Sequence, residues 1–156
     1  MSLKRTKKGR AGNSIVEFSL LLPWFIFLFT AVFDFGFYAY ALIAVENAAR
    51  VAVLHSAAGT ATAADQSGAC NLAVQELIGL PNVGSSYSGG CGADPITVTS
   101  AYCDGTTPCA GSTGSADGGP AAYVTVMYQM PPLFRIPIAG VARITRTAEM
   151  RLRDTQ

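Results

Sequence analysis

The chain has 156 residues, half of them hydrophobic, with 13% charged and a net charge of +1. That length allows one small domain plus a segment of another kind, and excludes a core large enough to enclose an aromatic-rich helix on all sides. A net charge this small singles out no partner class, so only its distribution along the chain is informative.

Residues 1–12 form a basic leader. Lys4, Arg5, Lys7, Lys8 and Arg10 are five of the eleven basic residues, and no acid precedes Glu17. From Phe18 to Val45 there are 28 positions with a single residue charged at neutral pH, Asp34. A bilayer-crossing helix needs roughly 20 mostly apolar residues, so a transmembrane segment is expected over about 18–45. Basic residues just before such a span hold that end in the cytoplasm. A nucleic-acid-binding arm is the competing reading of the same cluster, and its position against a span argues against it.

The helix is expected to start at Asn13 or Ser14, both good N-cap residues, and to run over 13–58, with nothing to stop it before Gly59. Pro23 falls inside it, which helices in membranes tolerate. Past Val45 the pattern turns amphipathic, and Glu46 and Arg50 stand four apart in the favourable acid-first order, a pair read as helix support.

Residues 59–156 then read as a separate domain. GTATAADQSGA (59–69) is a connector. Leu72, Ala73, Leu77 and Ile78 give a short helix one apolar face, closed by Gly79 and Pro81. Ile96 to Ser100 alternates as a strand, and Tyr123 to Tyr128 is the strongest strand signal, rich in Val, Thr and Tyr. Between them lies a Gly/Ser-rich loop, 103–120. Pro131, Pro132 and Pro137 mark a turn before a final strand. There Ala142, Ile144, Ala148, Met150 and Leu152 share one face, and Arg146 interrupts that face, at a bulge or an exposed edge. The fold class is α+β: a long N-terminal transmembrane helix, then a small domain with a short helix and about three antiparallel strands.

All four cysteines, Cys70, Cys91, Cys103 and Cys109, follow the span. None forms a C-x-x-C pair, and spacings of 21, 12 and 6 do not suit zinc. Two disulfides in an oxidising compartment fit better, which places this domain outside the cytoplasm. Three pairings are open; the short closure Cys103–Cys109 is favoured, leaving Cys70 with Cys91.

A basic leader ending in Gly12, followed by Glu17-Phe18 and a long apolar run, resembles the leader of type IV pilins and pseudopilins. The resemblance implies that a membrane aspartyl (prepilin) peptidase cuts after Gly12, which makes Asn13 the first mature residue and Glu17 the fifth. Asn13 departs from the usual phenylalanine or methionine, a position at which pilins of the tight-adherence (Tad/Flp) class are less strict. Glu17-Phe18, Leu22-Pro23, Asp34-Phe35-Gly36 and Asn47-Ala48-Ala49-Arg50 together resemble the TadE-like family of minor pseudopilins over about residues 10–54. The related TadF kind shares much of the leader, and the family often has arginine where this chain has Phe37. The closing RITRTAEMRLR is also similar to the family's C-terminal end.

Cleavage would free an α-amino group with a pKa of about 7.7–8.0, mostly protonated at neutral pH. Glu17, one turn along, can pair with it or with the amine of an adjoining subunit. An unpaired carboxylate in the membrane costs several kcal/mol, so a subunit in correct axial register relieves that cost. Glu17 is on this reading a register device rather than an acid reaching for the membrane edge. Asp34 lies about 26 Å further along a helix, near the far side of a core roughly 30 Å thick. It is either an interfacial acid needing no partner or a docking contact to another pseudopilin or the platform protein.

No catalytic constellation is present: a Ser/His/Asp site would need the lone His55, and no Gly-rich phosphate loop precedes a helix. Asp94, Asp104 and Asp117 sit in Gly-rich loops but lack the twelve-residue calcium pattern. No metal, cofactor or nucleic-acid partner is expected. The resemblance implies a non-enzymatic minor pseudopilin in the bacterial inner membrane, N-terminus cytoplasmic and C-terminal domain periplasmic. Its implied partners are prepilin peptidase, other pilins and minor pseudopilins, the inner-membrane assembly platform and lipid. The alternative is an uncleaved single-span protein that scaffolds an envelope complex.

Overall fold

The computed structural model describes residues 11–84, 87, 90–104, 119–131 and 142–153. The basic residues 4–10, Cys109, Asp117, Pro132 and Pro137, on which several expectations fall, lie outside these. The chain divides into two units, Met1–Tyr38 and Ala39–Gln156.

Helix α1 runs over Ala11–Ser56, with Pro23 inside it. It starts two residues before the expected Asn13 cap and ends two before position 58, an ordinary spread for helix ends. In the first unit every side chain from Ile15 to Phe29 is exposed, including Phe18, Trp24, Phe27 and Phe29. This helix is long and apolar enough to cross a membrane, with a mean hydropathy of 2.1 and none of its most apolar window buried. Two of its hydroxyls are satisfied locally: Ser19 donates to the Val16 carbonyl at 2.9 Å and Thr30 to that of Ile26 at 2.8 Å. A hydroxyl bonded to its own helix can enter lipid without an orphaned donor.

In the second unit the same helix turns one face inward. Ala41, Val45, Ala48, Ala49, Ala52, Val53 and Ser56 are buried at the three- and four-residue steps of one helical face. Most are small, which allows close approach, and each buried valine stabilises by roughly 1.5–3 kcal/mol. A bulkier residue at Ala48 or Ala52 would overpack this face, at a cost of about 1–3 kcal/mol.

The segment 59–69 is not simply a connector. It contains a four-residue helix α2 (Thr60–Ala63) and the first turn of α3 (Gln66–Leu77), capped by Asp65. The buried face of α3 is Ala69, Ala73 and Leu77; Ile78, expected on that face, is 42% exposed just past the helix end. Gln66 donates from Nε2 to the Val98 carbonyl at 3.0 Å and so ties α3 to the sheet.

The sheet is antiparallel and ordered β1-β2-β3-β4: β1 (Gly92–Ala93), β2 (Ile96–Cys103), β3 (Ala121–Met130) and β4 (Ala142–Arg151). The α+β class and the three principal strands stand, with the two-residue β1 added at one edge. Ile96, Val98, Val124, Val126, Tyr128 and Ile144 form its buried face, joined by Leu80 and Val83 from the turn after α3. Tyr128 is fully buried and its hydroxyl donates to the Pro81 carbonyl at 2.7 Å. Burial pushes its phenol up to about 12. On the outer face Thr125 and Thr147 share a hydroxyl contact of 3.2 Å.

The β3–β4 register is unbroken from Ala121↔Arg151 to Met130↔Ala142. No bulge therefore accommodates Arg146. The strand is an edge strand, as the alternative expectation had it, and the arginine is accommodated by a partner on α1.

Candidate functional site

Two sets of residues bear on function, one in each unit. The first is at the start of α1. Gly12 and Asn13 lie in its first turn, where backbone N–H groups have no helical partner. Glu17 and Phe18 follow within the next turns, both exposed. Asp34 is on the same helix and partly shielded. Seventeen residues of helix separate the two acids by about 26 Å, so they form no common site.

The second set surrounds Glu46, and sequence reasoning saw only half of it. Oε1 of Glu46 accepts a hydrogen bond from Arg50 Nη2 at 3.0 Å, while Oε2 is ion-paired with Arg146 Nε at 3.3 Å. The supposed helix-support pair is thus a three-residue cluster that joins α1 to β4. With Leu42, Ile43 and Asn47 these residues line an open groove of about 350 Å³. Arg146 also donates from Nη1 to the Thr145 carbonyl at 3.3 Å. The sequence signal was the basic residue on the apolar face of the last strand, which marks a site where another element supplies an acid.

A third cluster fastens the end of α1 to the start of α3. Asp65 accepts from the Gly68 amide at 3.0 Å and from the Ser67 hydroxyl at 2.6 Å, and its other oxygen lies 3.4 Å from His55 Nε2. The Ser67 bond, the Gly68 amide and His55, in that order, hold the Asp65 carboxyl down to about 2. The acid stands between serine and histidine, an order that gives the imidazole no serine proton to take. This is a helix cap with an imidazole attached. A side chain at position 68 would strike both the Asp65 carboxylate and the His55 ring.

Cys70 and Cys91 form a disulfide with Cα atoms 5.7 Å apart, linking α3 to the residue before β1. Cys103 is also disulfide-bonded. Asp94, one of the candidate calcium acids, is engaged by the Gln129 side chain, whose amide donates at 2.7 and 2.8 Å when oriented to do so. Among the described residues no group of three or more His, Cys, Asp or Glu side chains is placed to hold a metal ion.

An exposed helix long and apolar enough to cross a membrane, followed by a small disulfide-bearing α+β domain, defines a class, that of proteins with one candidate membrane anchor and one domain. Within it, residues 12–54 match the family described as TadE-like protein, consistent with a TadE-like protein of Tad pilus systems. No curated protein and no solved structure matches the chain. The matched segment contains Gly12, Glu17, Asp34, Glu46 and Arg50. Arg146 and both cysteine-bearing regions lie beyond it.

Proposed function

We propose that the chain is a minor pseudopilin of a Tad/Flp-type pilus, cut by prepilin peptidase after Gly12 and active in pilus biogenesis or initiation. It has no enzymatic role. The supporting observation is the coincidence, within one family-matched segment, of Gly12, Glu17 five residues on, and an apolar stretch of helix, Ile15 to Phe29, exposed on every side. The N-terminus stays in the cytoplasm because of the basic leader, and the disulfide-bonded domain lies in the periplasm. Glu17 pairs with the new amine at Asn13 or with that of a neighbouring subunit, and Asp34 offers a second contact to a pseudopilin or to the platform.

One observation favours the alternative, an uncleaved single-span protein scaffolding an envelope complex. The helix is already formed at Ala11, so the Gly12–Asn13 bond is helical rather than extended. A first turn frays readily, and the peptidase would have only that turn to open. The test is the N-terminal residue of the membrane-bound protein from its native host, read by mass spectrometry. Asn13 at the start supports processing; an intact leader beside an active prepilin peptidase leaves the anchored scaffold.

A further inference from the structure

We propose that the groove formed by Leu42, Ile43, Glu46, Asn47, Arg50 and Arg146 binds the phosphate of a phospholipid headgroup at the periplasmic membrane surface, and prefers a net anionic lipid. The inference rests on the reading of α1 as a membrane span.

Exposed apolar side chains on α1 continue from Ile15 to Ile43. At 1.5 Å per residue they cover about 42 Å of helix. That exceeds the roughly 30 Å hydrocarbon core and equals the depth of a bilayer with its headgroup layers, about 40–45 Å. A span seated by these residues brings Ile43 to headgroup level. Exposed Tyr38 and Tyr40 precede it, and tyrosine is a residue type that collects there. Glu46 is about 4.5 Å further along the axis and Arg50 about 10 Å. Helical side chains lean toward the N-terminus, here toward the membrane. Arg50 does so, since its Nη2 reaches Glu46 one turn back.

The charges suit one phosphodiester. Two guanidinium groups and one carboxylate leave +1, and both oxygens of Glu46 are already engaged by arginine. Each guanidinium has five N–H donors; the described hydrogen bonds take one from Arg50 and one from Arg146, whose Nε is ion-paired with Glu46 besides, which leaves donors for phosphate oxygens. Leu42 and Ile43, nearer the span, give the apolar wall that the glycerol ester region of a lipid needs. An acidic peptide would meet the arginines as well, but has no use for that wall. The net charge of +1 favours a headgroup that carries the phosphate charge without a compensating cation, so phosphatidylglycerol is the expected ligand.

The test offers the full chain, in detergent micelles, an equimolar mixture of phosphatidylglycerol and phosphatidylcholine and counts retained lipid by native mass spectrometry. Phosphatidylglycerol should be retained preferentially. The preference should fall about fivefold in Arg146→Gln, the loss expected for one arginine near an anionic surface. It should rise in Glu46→Gln, which removes the competing carboxylate and keeps both arginines. Opposite signs separate anion binding from a purely structural ion pair, where losing either partner acts alike. Equal retention of both lipids, or a fall in Glu46→Gln, overturns the site. Displacement by inorganic phosphate at equal concentration would assign it to a soluble anion, and preferential capture of an acidic peptide to a protein partner; either overturns the lipid assignment. Carbonate extraction of native membranes reports on the span itself. A chain that resists extraction but shows no lipid preference refutes the site alone, whereas an extracted chain refutes the reading beneath it.

Discussion

Arg146 of β4 meets Glu46 of α1, Nε to Oε2 at 3.3 Å, so that the last strand of the domain is tied to its first helix. Both side chains are partly exposed, at 42% and 44%, and water screens the pair. A double-mutant cycle with Glu46→Gln and Arg146→Gln should give a coupling of no more than about 1 kcal/mol in urea unfolding. The coupling should shrink at high salt. A larger, salt-insensitive value would mean that the cluster is more enclosed than its exposure indicates.

Gly68 is required by the cap. Gly68→Ala puts a methyl group against the Asp65 carboxylate and the His55 ring, and should destabilise the domain by about 1–3 kcal/mol through overpacking. The same cap sets an acid limb. The folded Asp65 carboxyl is depressed from 3.8 to about 2, so its contribution is fully present above the unfolded value and is lost as pH falls through the folded one. Melting temperatures taken from about pH 6 down to about pH 2 should show an added decline below about pH 4 in the parent chain. Asp65→Asn should lack that decline; parallel curves would remove the cap from the account of acid stability.

The Cys70–Cys91 disulfide closes a loop with a sequence separation of 21. On the chain-entropy account, replacing both cysteines by serine should cost about 3 kcal/mol, read as a lower urea midpoint, with a slope that rises because the unfolded chain is no longer cross-linked there. Thiol counting without reductant should find no free thiol at either position. Free thiols in protein taken from the native envelope would contradict the assignment of an oxidising compartment.

Glu17→Val should leave membrane insertion and N-terminal processing intact and impair piliation, because it removes the carboxylate that the register reading requires. Immunoblotting for the processed form, beside a pilus count, checks both halves. A normal pilus count in this variant would end that reading, and Glu17 would become an ordinary membrane-edge acid.

Much of this could be read from the residues because it depends on short-range physics. An apolar stretch of 28 positions with one acid signals a helix long and apolar enough to cross a membrane, and the helix found there is exposed over Ile15 to Phe29. Alternation marks strands wherever one face is buried, as at Ile96 and Val98. The connector reading of 59–69 failed for a local reason as well. Asp65 three residues before Gly68 is a cap signal, but the alanine- and threonine-rich stretch around it carries no strong apolar period. The long apolar helix and the strands were therefore legible in one dimension. The partner of Arg146 was not. An arginine on an apolar strand face announces only that some acid must come to it, and which acid comes depends on how α1 lies against β4. In the folded domain Glu46 of α1 is the acid that reaches it, which turns a helix-stabilising pair into a groove with two arginines.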